Sequence, residues 1–254
     1  MGIILRYKDF LKTYKTRGYR TKHLEEYKKL FPIKANERLA GVVADLIGDG
    51  HLQGEPKWRI DFTSKSIDEL KRFEKEINLL FGINGKIREC LSNKFGKTYN
   101  LAINCSPITR ILFLCGVPAG QKVLTAFLIP NWIKKDKKCF KRFAQRIFSC
   151  EGYVFYEQGR KLPQIRLEMW KSEKIKEKIN FVEELASYLK IHFDIQSTVR
   201  NVNIYNIRKD NIITRPMRIY ILGESVKKFQ KEIGFEGEKQ IKLNKVMGLS
   251  FGRH

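Results

Sequence analysis

Two acid–glycine steps, Asp49-Gly50 and Glu151-Gly152, are where this sequence can do chemistry. Each ends a stretch with helical spacing of apolar residues, 37–48 and 138–150. A carboxylate there faces the negative end of the helix dipole, where its charge is unwelcome. If the two helices pack side by side, the acids also repel and raise each other's pKa. A hard divalent cation bound by carboxylate and carbonyl oxygens would relieve both conflicts. The glycine after each acid is read as conformational freedom for a sharp turn into the next element. One such pair is an ordinary turn signal; recurrence at the same place in two similar segments makes it a candidate site.

The elements that must position these acids recur as well. In the first half, helix 37–48 carries a narrow small-residue face of Ala40, Ala44 and Gly48. A strand follows over 57–63, with Trp58, Ile60 and Phe62 on one side and Lys57, Arg59, Asp61 and Thr63 on the other. An amphipathic helix at 66–81, strands at 86–91 and 99–104 and a helix at 108–115 complete the copy. The second half repeats the order: helix 138–150, then strand 164–169 with Ile165, Leu167 and Met169 opposite Gln164, Arg166 and Glu168. Helix 172–191, strands in 198–207 and 218–222 and helix 225–233 follow. Lys65-Ser66 and Lys171-Ser172 stand after the two alternating strands. The predicted class is α+β, with a basic extension at 1–35, a first lobe plus linker at 36–135 and a second lobe at 136–254. In the extension, Tyr7, Phe10, Tyr14, Tyr19, Tyr27 and Phe31 interleave with basic residues. That pattern suits either a phosphate-backbone contact or a helical cap with a solvated basic face.

Composition narrows the partner. The 254 residues carry 50 Lys+Arg against 27 Asp+Glu, a formal charge of +23, and are 43% hydrophobic. A chain this apolar builds cores, and a chain this basic suits a polyanion such as nucleic acid. No run approaches the ~18 consecutive apolar residues of a spanning helix. The opening Met-Gly-Ile-Ile-Leu-Arg-Tyr-Lys does not read as a signal peptide. Five cysteines without CxxC spacing and four scattered histidines disfavour structural zinc and a disulfide framework. The expected setting is intracellular, without a membrane partner.

The segment Leu39-Ala40-Gly41-Val42-Val43-Ala44-Asp45-Leu46-Ile47-Gly48-Asp49-Gly50-His51-Leu52 resembles the first motif of two-repeat LAGLIDADG homing endonucleases, in the archaeal form. Phe143-Ala144-Gln145-Arg146-Ile147-Phe148-Ser149-Cys150-Glu151-Gly152-Tyr153-Val154 resembles the second. Matches at 63–66, 116–122, 129–133 and 223–235 extend the resemblance over nearly all of 36–245. Arg146, Asp45 and Ser149 depart from the usual motif residues; Arg146 stands where a glycine is common.

The resemblance implies two pseudo-symmetric αββαββα lobes with the motif helices paired between them and two curved antiparallel sheets forming a saddle for DNA. It implies a monomeric enzyme that hydrolyses both strands of a long asymmetric target across the minor groove, leaving short 3′ overhangs. It also implies two or three Mg²⁺ ions, replaceable structurally by Mn²⁺ or Ca²⁺. Asp49 and Glu151 would bind the metals with the carbonyls of Gly48 and Cys150, and Lys65 and Lys171 would stand near the attacking water or the scissile phosphate. The polar strand residues Lys57, Arg59, Asp61, Thr63, Gln164, Arg166 and Glu168 are candidates for major-groove readout. Lys86, Arg88, Asn100, Arg200, Asn203, Arg218 and Tyr220 are further candidates. A non-catalytic relative on the same scaffold, such as an intron RNA maturase, is the alternative.

Overall fold

The computed structural model describes residues 2–14, 24–93, 96–156 and 163–251. Tyr19 of the basic extension lies outside them. The chain forms two compact units, Met1–Gly120 and Gln121–His254.

In the first unit, the described part of the extension is packed structure. Strand β1 (Ile3–Leu5) pairs antiparallel with β2 (Ile33–Lys34). Helix α1 (Tyr7–Leu11) buries Phe10 completely, with the rings of Tyr7, Tyr14 and Phe31 around it. Tyr7, Phe10, Tyr14 and Phe31 therefore form a small aromatic cluster.

Helix α2 (Glu37–Ile47) begins at Asn36, whose side chain accepts the Leu39 N–H at 2.8 Å and so satisfies one of the open donors of the first turn. Then come β3 (Gly50–Gln53), β4 (Arg59–Ser64), α3 (Ile67–Phe81), β5 (Lys86–Asn93), β6 (Gly96–Ile103) and α4 (Ser106–Leu114). The antiparallel sheet runs β3-β4-β6-β5. Ile60, Phe62, Leu101 and Ile103 are buried, as are Leu70, Phe73 and Ile77 of α3, and the Phe62 and Phe73 rings stack at 4.5 Å. Burying each of these side chains contributes roughly 1.5–3 kcal/mol. Asp45, fully buried within α2, pairs with Arg72 of α3 at 3.0 Å.

The second unit repeats the order of elements. After α5 (Asn131–Lys134), helix α6 (Lys137–Glu151) starts at Asp136, which accepts the N–H groups of Lys138 and Cys139. Strands β7 (Gly152–Phe155) and β8 (Gln164–Ser172) precede α7 (Asn180–Phe193). Strands β9 (Thr198–Asn201), β10 (Asn206–Ile207) and β11 (Ile213–Ile221) lead to α8 (Glu224–Glu232) and α9 (Glu238–Phe251). The sheet runs β10-β11-β8-β7, with β9 also paired to β11, and every pairing is antiparallel. Arg146, buried in α6, pairs with Glu236 at 2.6 Å, and Arg142 pairs with the same carboxylate. Its bulk is accommodated by a charge partner.

Several expectations need correction. Helix 172–191 begins only at Asn180: β8 continues to Ser172, and the intervening residues form turns. The span 198–207 divides into β9 and β10. Lys57 lies in the turn before β4, not on the strand. Before α5, a 3-10 turn at Lys122–Leu124 packs on β8 within the second unit.

The glycine after each acid is required for a different reason from the one its sequence suggests. Gly152 has φ −94° and ψ 160°, ordinary extended values, and Gly50 is not among the glycines with positive φ. What each needs is space. A Cβ on Gly152 would lie 2.5 Å from the Phe148 carbonyl oxygen, and one on Gly50 would lie 2.7 Å from Leu46 Cδ2 and 2.9 Å from Leu46 Cα. Each strand leaves its helix pressed against the last turn. Gly50→Ala and Gly152→Ala are each expected to destabilise the protein by about 1–3 kcal/mol. Gly248→Ala, at an open position in α9, is expected to cost nothing. Urea unfolding midpoints of the three variants check this.

Candidate functional site

Asp49 is exposed and follows the last residues of α2; Gly48, its neighbour, donates its N–H to the Ala44 carbonyl at 2.8 Å. Glu151 is the last residue of α6 and is half-buried. Glu151 is thus in the last turn of its helix, whereas Asp49 lies in a turn two residues past the end of α2. Among the described residues no group of three or more His, Cys, Asp or Glu gathers as a metal cage. One carboxylate with nearby backbone carbonyls nevertheless fits Mg²⁺, which dehydrates reluctantly and is held through one or two carboxylates plus water and phosphate.

The carbonyl assigned to metal in the second unit already has a partner. Lys239 of α9 donates from Nζ to the carbonyl oxygens of Ser149 at 2.5 Å and Cys150 at 2.9 Å. Ser149 Oγ accepts the Glu236 N–H at 2.9 Å, and Gln145 donates to the Ile233 carbonyl at 3.1 Å. The segment 233–239 is thereby fastened to the C-terminal half of α6. Burial raises the Glu236 carboxyl, but the charges of Arg146 and Arg142 outweigh it and hold the group below the usual carboxylate range.

The two lysines are not equivalent. Lys65 is exposed and lies one residue beyond β4. Lys171 lies within β8, is 2% exposed, and donates to the carbonyls of Lys122 at 2.5 Å and Thr125 at 2.9 Å. Its ammonium also stands 3.5 Å from the centroid of the Phe127 ring. Burial, with the nearby charge of Lys122, pushes the Lys171 ammonium down to about 7, against a smaller opposing pull from Glu151. In this conformation Lys171 ties the 122–127 segment to the sheet.

The polar faces of the sheets hold most of the residues nominated for recognition. In the first unit, Thr63, Asn100 and Arg88 lie across from one another on β4, β6 and β5, and Asn100 donates to Thr63 at 3.1 Å. Asp61 accepts from Gln53 at 2.9 Å and from Arg59 Nε at 2.9 Å, which fixes both donors. Lys86 is exposed and faces Ala102. In the second unit Arg166 lies opposite Tyr153 and Tyr220, its guanidinium 4.4 Å from the Tyr153 ring centroid and 6.0 Å from that of Tyr220. Glu168 accepts from Arg218 at 2.5 Å and from Trp170 at 2.9 Å. Arg200, exposed on β9, stands 5.3 Å from the Tyr220 ring, and Asn203 is exposed in the bend that follows. Gln164 is a correction: it is buried and offers no edge to a groove.

Sequence reasoning missed His51 and Gln53 on β3 and Tyr153, Phe155 and Trp170 on the second sheet. The first four lie on four-residue strands that open on a glycine, too short for an alternating pattern to mark them. Trp170 was legible as the next position in phase with Arg166 and Glu168.

The fold defined by these elements is that of the LAGLIDADG proteins, α+β with antiparallel sheets. The homing endonuclease I-WcaI, solved bound to its DNA recognition sequence, matches with a TM-score of 0.55 at 14% identity, over 91% of this chain and 96% of that one. The N-terminal LAGLIDADG domain of DUF199/WhiA matches with a TM-score of 0.50 at 14% identity, over 91% and 97%. No family model matches the sequence. Among curated proteins, the chain is 27% identical over 241 residues to the tRNA-splicing ligase RtcB of Methanopyrus kandleri, covering 87% of the chain and 23% of that protein. It is 29% identical over 214 residues to the replication factor C small subunit of Methanocaldococcus jannaschii (78% and 11%). It is 26% identical over 221 residues to the DNA-directed RNA polymerase subunit Rpo1N of that organism (78% and 16%). The chain thus spans less than a quarter of the length of each of these relatives. Among the described residues no helix is long and apolar enough to cross a membrane.

The buried lysine gives a pH test with a definite sign. Its folded pKa is depressed, so between roughly pH 7 and pH 10 the unfolded chain binds the extra proton and the burial penalty shrinks as pH rises. The melting temperature of the wild type is expected to rise relative to Lys171→Met across that range, as differential scanning calorimetry would record.

Proposed function

We propose that the protein is a metal-dependent, site-specific double-strand DNA endonuclease of the two-repeat LAGLIDADG type, with the archaeal form of the motif. The observation that carries this reading is the acid–glycine step at the end of α2 and again at the end of α6, each leading through a short strand, β3 or β7, to a strand with charged residues on its polar side, β4 or β8. The fold's likeness to a DNA-bound homing endonuclease supports it. The curated relatives are named for three different tasks, yet the similarity runs through a similar length in each. That pattern supports a self-contained module with its own activity, intron-encoded or otherwise mobile, rather than the activity of any one relative.

In this reading Asp49, with the Gly48 carbonyl, and Glu151, with the Cys150 carbonyl, hold divalent ions, Mg²⁺ by the hardness of their oxygens. Such ions supply charge stabilisation at the scissile phosphate and a water of lowered pKa. Lys65, exposed at the end of its strand, contributes positive charge to a phosphate. Lys171 acts by holding the 122–127 segment. Arg59, Arg88, Asn100, Arg166 and Arg218 present donors to base edges, and carboxylate or aromatic neighbours fix the direction of Arg59, Arg166 and Arg218. The chain acts as a monomer inside the cell on a long asymmetric duplex, cutting across the minor groove to leave short 3′ overhangs. The +23 charge makes binding fall steeply with salt.

A second reading, a non-catalytic nucleic-acid binder such as an intron RNA maturase, is favoured by one specific observation. The Cys150 carbonyl and the Lys171 ammonium are both engaged in bonds within the chain.

Cleavage of a randomised duplex library with Mg²⁺ separates the two. The wild type is expected to cut a defined site, and Asp49→Asn and Glu151→Gln are each expected to lose at least about a hundredfold in cutting while retaining binding in a mobility-shift assay. Binding without cutting by the wild type supports the second reading.

A further inference from the structure

The Lys239 ammonium holds two carbonyl oxygens at the end of α6, one of them the Cys150 carbonyl beside Glu151. A helix C-terminus carries partial negative charge, and the carboxylate of the final residue adds to it. The bonds of 233–239 to α6 bring a cation to this place and hold it there. We propose that Lys239 is a tethered counter-cation that competes with the divalent ion at Glu151, so that ion binding requires its ammonium to leave the Cys150 carbonyl. This rests on the metal reading of Glu151 given above. It adds a positioning residue from α9, an element outside the motif and absent from the sequence-level reading.

The physical basis is short-range competition. A carbonyl that accepts a charge-assisted bond at 2.9 Å is less available to a second cation, and the ammonium repels an ion approaching the adjacent carboxylate. Removing the charge therefore tightens the site, and replacing it with another fixed cation leaves the site weak. A purely structural role for Lys239 gives the opposite sign: loss of the bonds would loosen the end of α6 and weaken any ion held there.

The test is a titration of the full-length protein with Tb³⁺, followed by tryptophan-sensitised luminescence and competed with Ca²⁺. It compares the wild type with Lys239→Met, Lys239→Arg and Glu151→Gln, each first shown by thermal melting to be folded. The wild type is expected to show an ion site lost in Glu151→Gln. Lys239→Met is expected to tighten that site by roughly tenfold, within the range seen for outer-shell changes, and Lys239→Arg is expected to match the wild type. Unchanged or weaker binding in Lys239→Met overturns the role of Lys239 and leaves the metal reading standing. Should no variant show a site sensitive to Glu151→Gln, the metal reading of Glu151 fails, and the competition with it.

Discussion

A strand that leaves a helix directly, as β7 leaves α6, or after a two-residue turn, as β3 leaves α2, has no room for a side chain at its first residue. That constraint, met by Gly50 and Gly152, governs what the rest of each unit can do. It keeps the preceding acid close to the end of its helix, as the last residue of α6 in the second unit and two residues past α2 in the first. It also sets the register in which the strand emerges, and so decides which of its residues face the core and which face outward. The acid and the strand that follows it are thereby positioned by the same close approach, which operates independently in each unit.

The electrostatics follow from that placement. A carboxylate at a helix C-terminus leaves an excess of negative charge that some cation must offset. In the second unit Lys239 supplies part of that offset from α9. Two buried pairs are arranged differently: Asp45 in the last turn of α2 is matched by Arg72, and Glu236, bound through its N–H to Ser149, is matched by Arg142 and Arg146. Breaking either pair would strand a charge with its desolvation uncompensated. On the sheet faces, Arg59 with Asp61 and Arg218 with Glu168 lose freedom to their partners, whereas Arg166 is held by rings. Donors fixed in this way are better suited to reading a pattern than a field of mobile lysines.

Much of this was legible in the residues. Apolar spacing located α2, α3 and α6 nearly to their ends, and the recurrence of the acid–glycine step marked the helix tips. Strands β3 and β7 were missed because each is four residues long and opens on a glycine, too short for alternation to stand out. Helix 172–191 was overextended because charge-rich turns resemble a solvated helix face. The difference between Lys65 and Lys171 was present in the strand parity. Lys171 is in phase with Ile165, Leu167 and Met169, and so belongs to the buried face, whereas Lys65 is out of phase with Ile60 and Phe62. Pairing the lysines by their shared serine neighbour obscured that parity. Helix α9, and with it Lys239, carries too little amphipathic contrast to announce itself.

The most direct test is anomalous diffraction from crystals of the full-length protein soaked in Mn²⁺. The account expects anomalous peaks within coordination distance of the Asp49 and Glu151 carboxylates. Manganese bound only elsewhere, with neither carboxylate near a peak, would contradict it.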